Sequence, residues 1–263
     1  MPSRSSLLHL ARTITAFTLL IALAGGCLHS SPRKTLRIGL SPDAPPMVFL
    51  QNGELAGIEI TLGQMLSKSL KREPQWVQLK WPDLIPALEA NQIDIIMSGM
   101  SITEERAESI LFTSPYMDVG QLVAIRWSDL QQRSDPRSMK APGTRIGVGK
   151  GTTGETLVAD RFPAAQIVSF DHTAGLVDGL RLGEVDFIVH DAPTIWHITA
   201  EPGGGDLIGL FRPLNQEFLA WAVAPQQLEL KKKIDTLISE WKQEGQLDAA
   251  FNQWIPIRVN VGH

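Results

Sequence analysis

The chain has 263 residues, 43% of them hydrophobic and 20% charged, with a formal net charge of −4. That length can bury a sizeable core and is enough for two lobes of ordinary domain size. The acidic balance repels phosphate backbones and argues against nucleic-acid binding. No Cys/His cluster has zinc-site spacing, and His190 and His197 are not a ligand pair of any strong kind, so neither a metal nor another cofactor is expected.

Met1–Gly26 carries Arg4 and Arg12, no acid, and an apolar run from Ile14 to Ala24. By length and flanking charge this is a secretory signal, too short for a comfortable membrane span. The run stops at Ala24-Gly25-Gly26-Cys27, which resembles a bacterial lipoprotein box, although Ala24 is a less usual choice there than Leu. The resemblance implies that Cys27 becomes the lipid-bearing first residue of a mature protein held on the periplasmic side of a bacterial membrane. Cys27 is the only cysteine, so an internal disulfide is excluded and the exported domain relies on its packed core. Loss of residues 1–26 leaves 22 basic and 28 acidic residues, a mature charge of −6. Residues 27–35 read as a tether.

The first buried strand is Leu36–Ser41, ended by the turn-rich Pro42-Asp43-Ala44-Pro45-Pro46. Met47–Leu50 and an Asn52-Gly53 turn lead to Gly57–Ile60, after which Leu62, Met65, Leu66 and Leu70 recur at helical spacing. Pro74–Lys80 is a second strand, with Trp81 directly after it at the start of a Leu84–Ala90 helix. Ile93–Met97 is a buried parallel strand running without a spacer into Ser98-Gly99-Met100-Ser101. A helix start follows, with Thr103 as cap, Glu104 and Glu105 in the first turn and Arg106 one turn in. Such a turn directs hydroxyls and backbone N–H groups outward at the carboxyl end of a strand, where open α/β sheets bind ligands. With Arg106 it makes a seat for a carboxylate.

Gln121–Arg126 is a strand, and Ser128–Gly143 is the longest loop-like stretch. Arg145–Gly149 repeats the flavour of the first strand and enters Lys150-Gly151-Thr152-Thr153-Gly154-Glu155, where Thr152 and Glu155 have capping-box spacing. Gln166–Phe170, Val185–Val189 and a helix from Pro193 complete a second βα set. Leu176–Asp191 resembles Leu84–Gly99, matching Leu84 to Leu176, Leu88 to Leu180 and Asp94 to Asp186. In each copy a short amphipathic helix feeds a strand that ends in polar residues, Ser98-Gly99 in one and His190-Asp191 in the other. Two such lobes suggest one ligand held between them. Phe218–Ala224 reads as a single last strand returning to the first lobe, followed by helices through Leu228–Trp241 and Leu247–Trp254. The expected organisation is lobe one at 36–121, lobe two at 122–217, and a return at 218–263, joined by two crossings suited to closing over a ligand.

From Leu36 to Trp254 the pattern resembles solute-binding protein family 3, the periplasmic amino-acid-binding proteins of ABC transporters. The marks are LRIGLSPDAPPMVF, GIEITL, WPDLIPALEANQIDIIMSGMSITEER, FTSPY, VGKGTTGE, VDFIVHDAP and EGQLDAAFNQW, in family order. The resemblance implies an α/β fold of the type II periplasmic-binding kind, with two lobes of mostly parallel sheet flanked by helices. It implies a monomer that captures an amino acid or similar small carboxylate and hands it to an ABC transporter permease. Carried over by position, Ser98, Gly99 and Ser101 offer backbone and hydroxyl groups, and Arg106 grips the α-carboxylate. Thr153, with the N–H groups around Gly154, adds to that grip from lobe two. Asp191 binds the α-ammonium, Trp81 flanks the ligand, and Ser41, Lys150 and His190 complete the set. Ala44 and Met47 stand where many relatives have aromatic residues, which leaves room on that side and the ligand's side chain undetermined. Two other readings remain open: a cyclohexadienyl-dehydratase-like enzyme on the same fold, with His190, Glu155 or Lys150 as acid, and a sensing module for a separate receptor.

Overall fold

The structure is a computed structural model that describes residues 34–200, 204–210 and 212–255. The expected signal, Cys27 and the tether through Arg33 lie outside the described residues.

The first lobe opens with β1 (Thr35–Leu40) and a small antiparallel sheet of β2 (Asp43–Ala44), β3 (Val48–Gln51) and β4 (Glu54–Ala56). Helix α1 (Ile58–Ser69), β5 (Glu73–Gln78), α2 (Leu84–Glu89), β6 (Ile95–Ile96), α3 (Glu104–Ala107) and β7 (Leu111–Phe112) follow, and β8 (Met117–Val119) leads out. β1 pairs in parallel with β5 on one side and β6 on the other. Leu36, Ile38 and Leu40 are fully buried and α1 lays Ile58, Leu62 and Leu66 into the same lobe. Gly39 belongs to this packing, because a Cβ there would come within 2.3 Å of the Ile93 side chain.

The second lobe comprises β9 (Gln121–Arg126), α4 (Leu130–Arg133), β10 (Arg145–Gly149), α5 (Thr153–Arg161), β11 (Gln166–Phe170), α6 (Thr173–Arg181), β12 (Phe187–Asp191), α7 (Ala192–Ala200) and β13 (Leu207–Leu210). Its sheet runs β11-β10-β12-β9-β13, with β10 parallel to both neighbours and β9 antiparallel to both of its own. β10 and β12 therefore carry the near-continuous apolar runs that strands covered on both faces require.

β14 (Glu217–Leu219) pairs antiparallel with β8, so the two crossings between the lobes form one ribbon. β15 (Ala222–Val223) then enters the first sheet, giving the order β5-β1-β6-β15-β7. Helices α8 (Leu228–Gln243) and α9 (Gln246–Trp254) cover that sheet, with Ile234, Ile238 and Trp241 packed in one core with Trp221.

Two local expectations change. The stretch 218–224 is two strands, because its residues serve two sheets: Leu219 belongs to the ribbon and Ala222 to the first lobe, with Ala220–Trp221 making the step. The Ser128–Gly143 stretch is not an open loop. Asp129 pairs with Arg126 at 2.5 Å and Arg133 at 3.5 Å, Asp135 caps a 3-10 turn by accepting from Arg137 N at 2.9 Å, and Met139 is fully buried. Polarity and prolines hid this short helical segment. Among the described residues no helix is long and apolar enough to cross a membrane.

Candidate functional site

A cavity of about 90 Å³ lies between the two sheets. Its walls are built from residues that end or follow parallel strands: Ser41 after β1, Ser98 after β6, Gly149 on β10, Phe170 on β11 and Asp191 on β12. This is the crevice at strand carboxyl ends where open α/β sheets place ligands.

On the first lobe the Ser98–Ser101 turn is held from behind. Ser98 Oγ accepts from Ser41 N at 2.9 Å, which fixes two cavity residues together. Gly99 has φ +64°, a left-handed conformation natural to glycine. Its N–H does not face a ligand but donates to Glu59 Oε1 at 2.6 Å. Glu59, fully buried on α1, also accepts from Tyr116 Oη at 2.6 Å and Trp221 Nε1 at 2.9 Å. Burial pushes the Glu59 carboxyl up, and these three donors pull it back. The sequence signal for this residue was an acid inside the otherwise apolar GIEITL.

Arg106 emerges from α3, whose N-cap Thr103 accepts from Arg106 N. Its Nη1 donates to Ser101 O at 2.9 Å and its Nη2 to Gly151 O at 3.4 Å, while the guanidinium lies 5.3 Å from the Trp81 ring centroid. These contacts orient a five-donor group without exhausting it. Burial lowers the Arg106 pKa, and the charges of Glu217, Asp191 and Glu105 oppose that.

On the second lobe Thr152 caps α5 by accepting from Glu155 N. Thr153 Oγ1 donates to Glu217 Oε2 at 2.8 Å. His190 Nδ1 accepts from Asp191 N at 2.8 Å, and burial lowers its pKa to about 4, leaving the ring neutral near pH 7. Asp191 has its pKa raised to about 7, first by burial and then by the charge of Glu217, against a hydrogen bond from Gln121 and the charge of Arg106. His190 and Asp191 both keep part of their surface on the cavity. Lys150 is largely exposed, 3.7 Å from Asp171.

Ser41, Trp81, Ser98, Gly99, Ser101, Arg106, Lys150, Thr153, His190 and Asp191 all line the one cavity. Gly154 does not: a Cβ there would come within 3.0 Å of Gln121 Oε1, which puts it behind the wall. The sequence reading missed Asp43, Gln121, His172 and Thr194, which also line the cavity. His172 follows β11 and Gln121 begins β9, so a search of every strand end in both lobes would have found them. Among the described residues Thr194 Oγ1 is buried with no hydrogen-bond partner.

The lobes touch directly on both sides of the cavity. Asp43 Oδ2 accepts from Thr173 N, the first residue of α6, at 2.9 Å, with His172 Nδ1 at 3.7 Å. Trp81 Nε1 donates to Gly151 O at 3.0 Å. Among the described residues no group of three or more His, Cys, Asp or Glu side chains is placed to hold a metal ion.

Residues 36–257 match the family described as bacterial extracellular solute-binding proteins, family 3. The chain is 28% identical over 240 residues to the ABC transporter arginine-binding protein 1 of Escherichia coli K12, covering 89% of this chain and 96% of that one. Among solved structures it is similar to a mutant of ArgBP from T. maritima, with TM-score 0.78 and 30% identity over 85% of this chain and 96% of that one. It is also similar to AncCDT-1, an ancestral amino acid-binding protein described as a precursor of cyclohexadienyl dehydratase, with TM-score 0.79 and 28% identity over 84% and 96%.

Proposed function

Because the chain belongs to family 3 of the bacterial extracellular solute-binding proteins, we propose that its cleft captures an α-amino acid as the zwitterion and that the protein delivers it to an ABC transporter. The observation that carries this is the convergence of Arg106 from the first lobe and Asp191 from the second on the same cavity. A guanidinium matches a carboxylate in planar, two-pronged fashion, and a carboxylate matches an ammonium. Enclosure removes water and strengthens both attractions. Ser98 and Ser101 line the same cavity as Arg106 and offer further polar contacts for the carboxylate. Gly99 contributes through its fold rather than its N–H, which Glu59 occupies.

The remaining wall is mixed: Ala44 and Met47 leave room, and Asp43, Lys150, Asp171 and Thr194 supply polar groups. That supports a ligand with a polar side chain, in keeping with relatives named for arginine binding. A thermal-shift screen of the twenty amino acids tests the reading, since a ligand that binds only the folded state raises the melting temperature. A polar amino acid raising it in a concentration-dependent way is the expected result, and no shift with any amino acid would sink the reading.

Dehydration of a cyclic acid is the second reading, favoured by the likeness to AncCDT-1. The side chains first considered for its acid do not support it. Glu155 accepts from Gly151 N at 2.7 Å and from Ser169 Oγ, His190 is neutral near pH 7, and Lys150 is exposed. Incubation with prephenate and assay for product separates capture from catalysis. Export, lipidation at Cys27, a monomeric state and residence on the periplasmic side of the membrane complete the proposal, with the Ala24–Cys27 sequence as support for the anchor. Release of a Cys27→Ser variant from the membrane fraction is the matching test.

A further inference from the structure

At the mouth of the hinge a single amide faces more acceptors than it can serve. Gln121, buried at the start of β9, donates through Nε2 to Asp191 Oδ1, to Glu217 Oε1 at 3.3 Å and to Thr153 Oγ1 at 3.3 Å. An amide nitrogen has two hydrogens, so three acceptors leave one short. The Thr153 hydroxyl is already given to Glu217 Oε2, and Asn215 Nδ2 supplies Glu217 Oε1 at 2.7 Å. Glu217 thus has donors of its own, whereas among the described residues the shared Gln121 amide is the one hydrogen-bond donor to the Asp191 carboxyl. Glu217 itself is on the ribbon strand β14 and does not line the cavity.

We propose that Glu217 is a positioning residue for the ligand's ammonium group: from the hinge it keeps a proton on Asp191 in the empty cleft, and the arriving ammonium enters in exchange for that proton. This rests on the reading of Asp191 as the ammonium anchor. Among the described residues the charged and titratable groups facing Asp191 are Glu217 from β14, Arg106 from the first lobe, Tyr116 just before β8 and the neutral His190 on its own strand. Of these only Glu217 is an anion held beside it by a shared donor. Burial and Glu217 favour the proton on Asp191, while Arg106 and the Gln121 bond oppose it. An incoming ammonium supplies the missing donors and a positive charge, which reverses the balance and releases the proton.

The test is a titration of the Asp191 carboxyl by ¹³C NMR in the ligand-free protein, with its signal identified by its loss in Asp191→Asn. The wild-type midpoint is expected near 7. In Glu217→Gln, which keeps shape and polarity but removes the like charge, it is expected to fall by about tenfold or more in proton affinity. Glu217→Asp, which keeps the charge, is expected to stay with the wild type. Should the Gln variant fail to fold, Glu217→Ala carries the same expectation. A Glu217→Gln midpoint equal to wild type, or a wild-type Asp191 titrating in the ordinary carboxylate range, would overturn the proposal and leave Glu217 as a structural partner of Thr153 and Asn215. A protein that binds no amino acid would remove the anchor reading, yet these midpoints would still decide what Glu217 does to Asp191.

Discussion

Asp94 and Asp186 occupy equivalent places in the two lobes and make the same bonds. Asp94 Oδ2 accepts from Arg37 N at 2.9 Å and Oδ1 pairs with Arg37 Nη2 at 2.7 Å, while Arg37 Nη1 donates to Asn91 O. Asp186 Oδ2 accepts from Arg145 N at 2.9 Å and Oδ1 pairs with Arg145 Nη2 at 2.8 Å, while Arg145 Nη1 donates to Gly183 O. In each lobe an aspartate just before the strand that leads to the site clamps the first residues of its neighbour, β1 or β10. Burial acts against both carboxylates, but the arginine bonds outweigh it and hold both below the usual range.

Each clamp is expected to stabilise its own lobe. Asp94→Asn and Asp186→Asn should each cost about 2–3 kcal/mol, below the usual figure for a fully buried pair because the arginines are partly exposed. A carboxylate with a depressed pKa contributes stability above its unfolded value and loses it as pH falls through the folded one. The deficit should therefore be full at neutral pH and shrink below about pH 4. The two aspartates lie in separate sheets, so the double variant should show the sum. Urea unfolding at several pH values measures this.

Glu59 is the keystone of the Ser98–Ser101 turn. Glu59→Ala strands three donors, the part-buried Gly99 N and the buried Tyr116 Oη and Trp221 Nε1. Unpaired buried donors cost about 1–3 kcal/mol each, and the expected loss is about 3–5 kcal/mol with weakened ligand binding. Denaturant midpoints together with calorimetry check both; unchanged stability would show that the turn holds without it.

These cases mark what was legible in the sequence and what was not. The Ser98–Arg106 turn could be read directly because its strand, hydroxyls, cap and cation are contiguous. Asp94 and Asp186 were visible as matched positions in the internal repeat, although their arginine partners, 57 and 41 residues away, were not. Glu59, Gln121 and Glu217 act through partners brought in by the fold: Glu59 stood out only as an acid within an apolar run and Gln121 only as a strand start, and neither cue names the partners. The split of 218–224 was hidden because strand propensity does not say which sheet a residue will join.

Asp191 should cost the ligand-free protein stability at neutral pH. Its folded pKa is raised to about 7 from an ordinary value of 3.8. The folded state thus binds the proton more tightly, and its stability falls as pH rises between those values. His190, lowered to about 4, acts in the opposite sense over much of the same window, so the wild-type profile alone will not reveal the effect. Asp191→Asn removes one of the two. It should be more stable than wild type at pH 7.5 by a few kcal/mol, because each tenfold difference in proton affinity between folded and unfolded chain is worth about 1.4 kcal/mol. The advantage should be gone near pH 4. Thermal unfolding of both proteins across that range is the measurement.

Trp81 should hold the closed state by one bond. Trp81→Phe keeps a ring beside Arg106 but deletes the donor to Gly151 O. The loss of a hydrogen bond worth about 1 kcal/mol predicts affinity about five-fold weaker, expressed mainly as faster dissociation. Stopped-flow binding would show it, and an unchanged dissociation rate would mean that the bond does not contribute to closure.

The most direct measurement is calorimetric titration of wild type, Arg106→Ala and Asp191→Ala with the amino acid that gives the largest thermal shift. Removing one partner of a buried ion pair costs about 3–5 kcal/mol, so each variant should bind about a hundred- to several thousand-fold more weakly. Both variants binding within a few-fold of wild type would contradict a cleft that grips the two poles of a zwitterion.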